Sequence, residues 1–304
     1  MAGTPRAERA KPNTPLPFPE VPGVEVQHRF VRARGLLMHV ATAGPIDAPS
    51  LVMLHGWPQH WYVWRRTLPE LAPLRRCVMI DLRGLGWSEA PPAGYTKQTL
   101  AEDVCAVLDE LGIERTAIVG HDWGGWVAFL IALESPQRVD RMLALNIVPP
   151  WPPRRSARPR VSDLMRLAYQ PLLATPWLGE TLLRRTGLIG AMLRADNVHS
   201  GTFSAQDAEC FAAVLREPER ARASSLYYRD WLRQEFGPFM RGRYSPQDLK
   251  VPAHLLYGVH DGALGPEPPQ ADGLLSVEPV QDSGHFIAEE RPDLVAARAL
   301  ELAG

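Results

Sequence analysis

The sequence predicts an α/β protein with a mostly parallel, twisted sheet, helices on both faces and an inserted helical lid. Two observations lead to this fold class. Strand-like apolar runs alternate with helical patterns over residues 22–150 and 245–304, and repeated βα units form parallel sheets with right-handed crossovers. Residues 151–244 contain helical patterns but no strand-like run. We therefore expect a core built from 22–150 and 245–304, a lid over 151–244, and a loose, Pro-rich leader over 1–21.

Composition excludes several classes of protein. The 304 residues are 45% hydrophobic, which is enough for one large core, and the net charge of −1 offers no general attraction for nucleic acid or an anionic membrane. The Arg-rich run at 154–160 is interrupted by proline, so we interpret it as a solvated connector. No apolar run approaches 18 residues, and the three cysteines have no metal or redox spacing. These features predict a cytoplasmic protein.

The first elements are short strands and one amphipathic segment. "RFVRARGLLMHVATAG" predicts a hairpin of two edge strands that turns at Gly35. "SLVMLHG" (50–56) is almost continuously apolar, as a buried parallel strand is. "WYVWRRTLPELA" (61–72) has a helical pattern, and "RCVMIDLRG" (76–84) predicts the next strand.

The following elements repeat this alternation. In "TKQTLAEDVCAVLDELG" the apolar residues share one helical face, and Gly112 predicts the end of that helix. A strand "RTAIVGHD", a helix "WGGWVAFLIALESP" and a strand "RMLALNIVPP" complete the first half. In the lid, Ser204 and Asp207 have the spacing of a capping box. The core then resumes with "PAHLLYGVHD", "SVEPVQDSGH" and a last helix, "RPDLVAARALELA".

The stretch Gly120-His121-Asp122-Trp123-Gly124 has the pattern of a nucleophile elbow. This turn joins a strand to a helix so sharply that glycines must flank it, and it exposes the central side chain. Here the central residue is Asp122. The positive end of the following helix favours an ionised carboxylate at that position. By itself, however, the stretch also fits an ordinary N-cap aspartate.

Two further segments follow predicted strands near the end of the chain. Asp261 lies in "LYGVHDGAL", and His285 lies in "DSGHFIAEERP". Ligands bind at the carboxyl ends of strands in open α/β sheets, so these side chains and Asp122 are expected to meet. The order nucleophile, acid, histidine is that of the α/β-hydrolase fold. We therefore predict a triad of Asp122, His285 and Asp261.

The segment "LHGWP" follows the third predicted strand, where this fold draws one backbone N–H of its oxyanion hole. We assign the oxyanion hole to the backbone N–H groups of Trp57 and Trp123. Pro58 would fix the turn. The predicted substrate pocket consists of apolar and aromatic side chains near these segments, with one histidine: His55, Pro58, Trp61, Trp126 and Phe286. Such a lining suits an apolar ligand.

Together, "HGWPQHWYVWR", "DLRGLGWSEAP", "GHDWGG", "YGVHD" and "SGHF…EERP" resemble the epoxide hydrolases of the α/β-hydrolase fold, whose close relatives are the haloalkane dehalogenases. The resemblance implies attack by Asp122 on the epoxide and two lid tyrosines that hold the ring oxygen. Among four lid tyrosines, "SSLYYRDWLR" resembles the family segment that selects Tyr228, and "MRLAYQPLLATPWLG" resembles the one that selects Tyr169. The implied partners are a small apolar epoxide and water.

A carboxylate nucleophile narrows the chemistry. It is ionised near neutral pH and attacks an sp³ carbon directly, giving an alkyl ester that His285 then hydrolyses by activating water. Epoxides and halogenated carbons both fit this scheme, so a haloalkane dehalogenase is the alternative. Fluoroacetate dehalogenases have two arginines at the elbow where this chain has Trp123 and Trp126, which argues against haloacids.

Some alternatives stay open and others lose support. A catalytically idle scaffold of the same fold would usually lack a triad member, and none is lost here. Asn146 stands where some relatives keep their acid, which leaves Asp261 for that role. No motif indicates a metal ion, a nucleotide or another cofactor. A homodimer is compatible with the sequence, which specifies neither the oligomeric state nor the physiological substrate and its stereochemistry.

Overall fold

An eight-stranded sheet forms the centre of the protein. It is described from a computed structural model that covers residues 17–152, 167–265, 269 and 271–302. The first 16 residues of the predicted leader and the Arg-rich run at 154–160 lie outside the described residues. The strands are β1 Gln27–Ala33, β2 Leu36–Ala43, β3 Ser50–Leu54, β4 Arg76–Ile80, β5 Thr116–His121, β6 Val139–Leu145, β7 Ala253–Gly258 and β8 Ser276–Val280.

The strand order is β1-β2-β4-β3-β5-β6-β7-β8. The pairs β1/β2 and β2/β4 are antiparallel, and all other neighbours are parallel, so the prediction of a mostly parallel sheet is confirmed. The prediction that both hairpin strands are edge strands is wrong for β2. Its second half, Val40–Ala43, pairs with β4, and the buried side chains of this half suit an inner position.

The central strands are buried on both faces. Each residue of β5 is buried, and in β3 and β4 only the first residue is partly exposed. Helices therefore cover both sides of the sheet, as continuous rather than alternating apolar runs indicate. The carboxyl ends of β3, β5, β6 and β7 meet at one edge of the sheet, and the loops that follow these strands lie there together.

The core helices mostly match the sequence pattern. They are α1 Leu68–Leu71, α2 Lys97–Glu110, α3 Trp123–Glu134, and, after the lid, α10 Ile287–Glu290 and α11 Pro292–Glu301. The side chain of Thr96 caps α2 by accepting a bond from the Thr99 N–H, and Gly112 adopts φ 66° just beyond its end. A left-handed residue at this point suits glycine because it has no Cβ to clash.

The single helix predicted over 61–72 is instead two short pieces. A 3₁₀ helix runs from Trp61 to Arg66, and α1 adds one turn after Thr67. Pro69 lies at the start of α1. Proline has no backbone N–H and clashes with the preceding turn, so a continuous helix cannot pass through it.

Helices also form the insertion between β6 and β7. Within the described residues 167–244, they are α4 Tyr169–Ala174, α5 Leu178–Arg185, α6 Leu188–Ala195, α7 Ala205–Leu215, α8 Pro218–Asp230, a π-helical turn Trp231–Glu235 and α9 Phe236–Met240. The predicted capping box of Ser204 and Asp207 at the start of α7 is confirmed. We propose the boundaries 1–21 for the leader, 22–150 and 245–304 for the core, and 151–244 for the lid.

Two smaller findings concern the class of protein. The cysteines, Cys77, Cys105 and Cys210, are free thiols that are buried or half-buried. In the part of the chain that the structure describes, no helix combines the length and the apolar character needed to cross a bilayer.

Candidate active site

Asp122 lies on a sharp turn between β5 and α3. Its backbone has φ 49° and ψ −125°, which is a strained conformation for a residue with a side chain. The flanking glycines make the turn sterically feasible. A Cβ on Gly124 would lie 2.3 Å from the Leu54 carbonyl oxygen, and a Cβ on Gly120 would lie 2.5 Å from the Gly124 carbonyl oxygen. The strand–turn–helix therefore fixes Asp122 at the carboxyl edge of the sheet.

Two backbone amides hold the carboxylate of Asp122. The Trp57 N–H donates to Oδ1 over 2.9 Å, and the Trp123 N–H also donates to this carboxylate. Burial raises the pKa of Asp122, while His285 and the two amides act in the opposite direction. Both amides belong to the oxyanion hole predicted from the sequence. The same donors can thus hold a carboxylate or stabilise a negative oxygen that develops on it.

His285 lies between two carboxylates. Its Nδ1 is 3.0 Å from Oδ2 of Asp261, and its Nε2 is 3.8 Å from Oδ2 of Asp122. Burial alone would lower the pKa of His285, but Asp261 and then Asp122 and Asp196 raise it to about 10. The imidazole is therefore a cation when Asp122 carries its charge.

Asp261 is buried and has hydrogen bonds to both carboxylate oxygens. Oδ1 accepts from the N–H groups of Ala263 and Leu264, and Oδ2 accepts from Asn146 and pairs with His285. Burial would raise the pKa of Asp261, yet these partners, His285 first among them, lower it overall. An ionised acid in this position orients the imidazole and stabilises its cation.

Two polar residues of the site were not assigned a role from the sequence. Asn146 donates from Nδ2 to Asp261 Oδ2 over 2.7 Å and to the Gly284 carbonyl over 3.0 Å. Its position after β6, at a strand end, is a signal that could have identified it. The second residue is Asp196, at the end of the lid helix α6.

Asp196 brings a third carboxylate to the histidine. Its carbonyl accepts the backbone N–H of His285, and its Oδ1 accepts the N–H of Gly262. Asp196, Asp261 and His285 each have a ligand atom within 4.8 Å of those of the other two. Because Asp196 belongs to the lid, no sequence motif links it to a strand end.

The two tyrosines face the nucleophile from the lid. Tyr169 is the first residue of α4, and Tyr228 lies in the last turn of α8. Their ring centroids are 5.6 Å apart, their phenols are hydrogen-bonded to each other, and the Trp123 side chain is hydrogen-bonded to Tyr228. Burial, and after it the charge of Asp122, raises the pKa of Tyr169. Both phenols therefore keep their protons in the resting site.

Aromatic side chains surround these groups. The Trp57 ring stacks on Tyr169 and meets Tyr228 edge-on, with centroid distances of 6.4 and 5.1 Å. Trp126 packs against Trp123 and Trp231 farther behind the nucleophile. On the histidine side, the Phe286 ring lies 5.0 Å from that of His285. Pro58 follows Trp57 through a cis peptide bond.

The prediction that His55 and Trp61 line the pocket does not agree with their contacts. His55 is fully buried, with Nδ1 bonded to the Gly56 carbonyl and Nε2 to the Leu82 N–H. Trp61 is also fully buried. Its backbone N–H donates to Asp81, and its ring packs on His28 and Tyr62. Both side chains belong to the hydrogen-bonded and aromatic cluster around Asp81, because the loops after β3 and β4 pack against each other.

Comparisons with known proteins identify the family of this fold. Residues 49–292 match the model of the alpha/beta hydrolase fold family. A soluble epoxide hydrolase of Corynebacterium sp. (strain C12) is 31% identical over 91% of this chain and 97% of its own length. The structure of an epoxide hydrolase without ligand superposes with a TM-score of 0.80 at 29% identity, covering 91% of this chain and 98% of the other.

A structure of a haloalkane dehalogenase variant from Bradyrhizobium elkanii is similar as well. It has a TM-score of 0.74 at 22% identity and covers 92% of this chain and 97% of its own, a likeness that concerns the fold alone. The family match and the bacterial relative each extend over most of this chain. The chain therefore belongs to the α/β-hydrolase fold family, in the group that contains the soluble epoxide hydrolases.

Proposed function

We propose that this protein is an epoxide hydrolase that converts an apolar epoxide to a vicinal diol through an alkyl ester on Asp122. The observation that carries the proposal is the pair of hydrogen-bonded phenols, Tyr169 and Tyr228, opposite a carboxylate held by two amides. An epoxide oxygen leaves as an alkoxide and needs a proton, which a buried phenol supplies. The similarity to named epoxide hydrolases supports the same reaction.

The first step forms the ester. An oxygen of Asp122 bonds to a ring carbon, the ring C–O bond breaks, and a phenol of Tyr169 or Tyr228 gives its proton to the ring oxygen. The aspartate loses its charge in this step. His285 then loses one of the charges that raise its pKa, so its proton passes to solvent while the phenolate regains one from solvent.

The second step hydrolyses the ester. Neutral His285 takes a proton from water, and the resulting hydroxide attacks the carbonyl carbon of the ester. The N–H groups of Trp57 and Trp123 stabilise the oxyanion. Collapse of the tetrahedral intermediate expels the diol oxygen, which takes the proton of the hydroxyl group that water added to the ester carbon. Asp122 ends as a carboxylate and His285 as a cation, so the starting state returns without a cofactor.

Haloalkane dehalogenation is the second candidate. It is favoured by one observation, since Trp57 has a buried indole N–H without a hydrogen-bond partner in the described structure, next to the two tyrosines. Halides bind to weak donors of this kind.

The location that we propose is the cytoplasm, because free thiols are typical of reducing compartments. Removal of epoxides there would be a detoxifying activity.

Product analysis tests the function directly. Purified protein is incubated with styrene oxide and, in parallel, with a 1-haloalkane, and diol and free halide are measured. We expect diol without halide, and no product from the Asp122→Ala variant. Halide without diol would establish the dehalogenase alternative. Wild-type-like turnover in Asp122→Ala would remove the nucleophile assignment, and neither product from the wild type would contradict both candidates.

A further inference from the structure

A fully buried lysine lies behind the nucleophile. Lys97 is the first residue of α2, and none of its surface is exposed to solvent. Lysine is rarely buried to this extent, because the ammonium group loses its hydration unless other groups replace it. The two-step mechanism above assigns no role to this residue. Its surroundings therefore need a separate explanation.

The ammonium group of Lys97 binds two elements of the lid. Its Nζ donates to the Tyr227 carbonyl over 2.9 Å and lies 3.3 Å from Oε2 of Glu235. The backbone N–H of Lys97 also donates to Glu235, over 2.7 Å. The Tyr227 carbonyl belongs to the peptide group that leads directly into Tyr228. Lys97 thus holds the main chain of α8 at the residue before the proposed acid.

The same ammonium group also contacts the elbow. Its Nζ lies 4.2 Å from the centre of the Trp123 ring, a distance typical of a cation–π contact. The backbone N–H of Trp123 binds Asp122, and its side chain is hydrogen-bonded to Tyr228. Two routes therefore connect Lys97 to Tyr228. One passes through the Tyr227 peptide group and the other through the indole of Trp123.

We propose that Lys97 is a positioning residue for the first chemical step, which fixes Tyr228 and the Trp123 side chain so that the phenol meets the leaving epoxide oxygen. This inference rests on the proposed function. A lysine that only fastened the lid would affect both steps alike. A positioning residue for Tyr228 affects ester formation, in which a phenol gives up a proton, and leaves ester hydrolysis by His285 nearly unchanged.

The test measures the two steps separately in single-turnover reactions with styrene oxide. Lys97→Met keeps most of the side-chain length and apolar surface but removes the ammonium group. We expect ester formation to slow by about 10- to 100-fold, which is less than the complete loss of a general acid, about 100- to 10,000-fold, because the phenol of Tyr228 is displaced and not removed. Ester breakdown should change by less than about twofold. A second comparison uses Tyr228→Phe. In that background, Lys97→Met should cause little further loss, because interacting residues are not additive.

Arg220→Met is the matched control. Arg220 lies on the same helix, α8, is buried, and donates to the Ser88 carbonyl across the core–lid boundary over 2.7 Å. It lies eight residues, about two helical turns, before Tyr228, and its substitution should leave the ratio of the two rates unchanged. Lys97→Gln replaces Lys97→Met if the methionine variant does not fold. Glutamine still offers the Tyr227 carbonyl an uncharged donor, and we expect the same direction with a smaller effect.

Several results would overturn the inference. They are an equal slowing of both steps in the Lys97 variant, unchanged ester formation, full additivity with Tyr228→Phe, or the same step-selective loss in Arg220→Met. The single-turnover reaction of the wild-type protein distinguishes failure of the Lys97 inference from failure of the proposed function. Normal ester formation and breakdown in the wild type, together with any of these results, would remove only the role of Lys97. Absence of an ester in the wild type would remove both proposals.

Discussion

The chemistry of the site depends on how many carboxylates face one imidazole. His285 contacts Asp261 through Nδ1, lies 3.8 Å from Asp122 through Nε2, and has Asp196 nearby. With its pKa near 10 the resting imidazole is a cation, which cannot act as a base. In the proposed mechanism, ester formation neutralises Asp122 and so lowers the pKa of His285 at the moment when a base is required. The first step thereby prepares the second.

This coupling predicts that the ester accumulates when His285 is replaced. In His285→Gln, Asp122 still has both amide donors and the phenols, so ester formation should continue while hydrolysis stops. Intact-protein mass spectrometry after incubation with styrene oxide should show an increase equal to the mass of the whole epoxide. The double variant Asp122→Ala/His285→Gln is the control and should show none. A His285→Gln protein that turns over many epoxides would contradict the two-step scheme.

Asp196 should set the pH range of the second step. It is one of three carboxylates that raise the pKa of His285. In Asp196→Asn the amide keeps an acceptor oxygen but loses the charge. The pKa that governs ester hydrolysis should therefore fall, so hydrolysis extends to lower pH. Single-turnover ester breakdown measured across pH gives this value.

The control for this experiment is Asp140→Asn. Asp140 lies on the exposed part of β6 and pairs with Arg115, and it has no contact with the site. Its substitution should leave the pH profile unchanged. An Asp196→Asn profile that coincides with the wild-type profile would show that the lid carboxylate has no electrostatic effect on His285.

At the scale of secondary structure elements, the elbow depends on the close approach of α3 to the ends of β3 and β5. Gly124→Ala would place a Cβ 2.3 Å from the Leu54 carbonyl oxygen and 2.5 Å from the His55 carbonyl oxygen. Backbone atoms cannot rotate away, so α3 must shift and move Asp122 with it. We expect a loss of about 1–3 kcal/mol in the free energy of unfolding and at least about 100-fold in kcat.

Gly187→Ala is the matched control for Gly124→Ala. Gly187 precedes the lid helix α6 with φ −80°, and a Cβ there would meet nothing within 4 Å. Chemical denaturation and steady-state rates of both variants check the expectation. Equal behaviour of the two variants would contradict the steric argument for the elbow.

Local patterns predicted most elements of the sheet domain. Continuous apolar runs gave the central strands, and the glycines around Asp122 indicated the turn, because both are constraints that a few adjacent residues determine. The helix over 61–72 was predicted incorrectly, since helical spacing of apolar residues does not reveal the break at Pro69. The position of β2 inside the sheet depends on its pairing with β4, which is a contact between distant segments.

Prediction of the site from the sequence has the same limit, because contacts between distant segments are not visible in local patterns. The triad residues follow strands of one sheet, so the topology of the fold determines that they meet, and the sequence order reveals it. His55 and Trp61 lie close in sequence to Trp57 but contact the Asp81 cluster instead. Sequence proximity does not give the direction of a side chain in a loop. Asp196 comes from the lid, and its contact with His285 depends on lid packing that no local pattern encodes.

At the scale of the whole molecule, several buried groups bind protons differently in the folded and the unfolded protein, so stability depends on pH. Burial lowers the pKa values of four histidines that are at least half buried: from 6.5 to about 4 for His28, to about 3 for His60 and His121, and in the same direction for His55. The unfolded chain therefore binds more protons below pH 6.5, and the fold loses stability as the pH falls. Glu289, with its pKa raised to about 7, acts in the opposite direction between pH 4.5 and 7, and the raised pKa values of Asp122 and Asp196 act in the same direction as Glu289. We expect the buried histidines to outweigh these acids.

His285 makes the stability of the fold depend on pH on the alkaline side. Its pKa is raised from 6.5 to about 10, so its contribution to stability is complete below pH 6.5 and is lost as the pH rises through 10. We therefore expect the melting temperature to be highest near about pH 6.5 and to decline on both sides. Thermal unfolding from about pH 4.5 to 9.5 measures this curve.

His60→Gln should lessen the decline toward acid and His285→Gln the decline toward alkali, even where either variant is less stable throughout. His199→Gln, at an exposed lid position, should keep the wild-type shape. Curves of identical shape for all four proteins would show that these buried rings do not control stability, and the pH dependence would then have to originate in other groups.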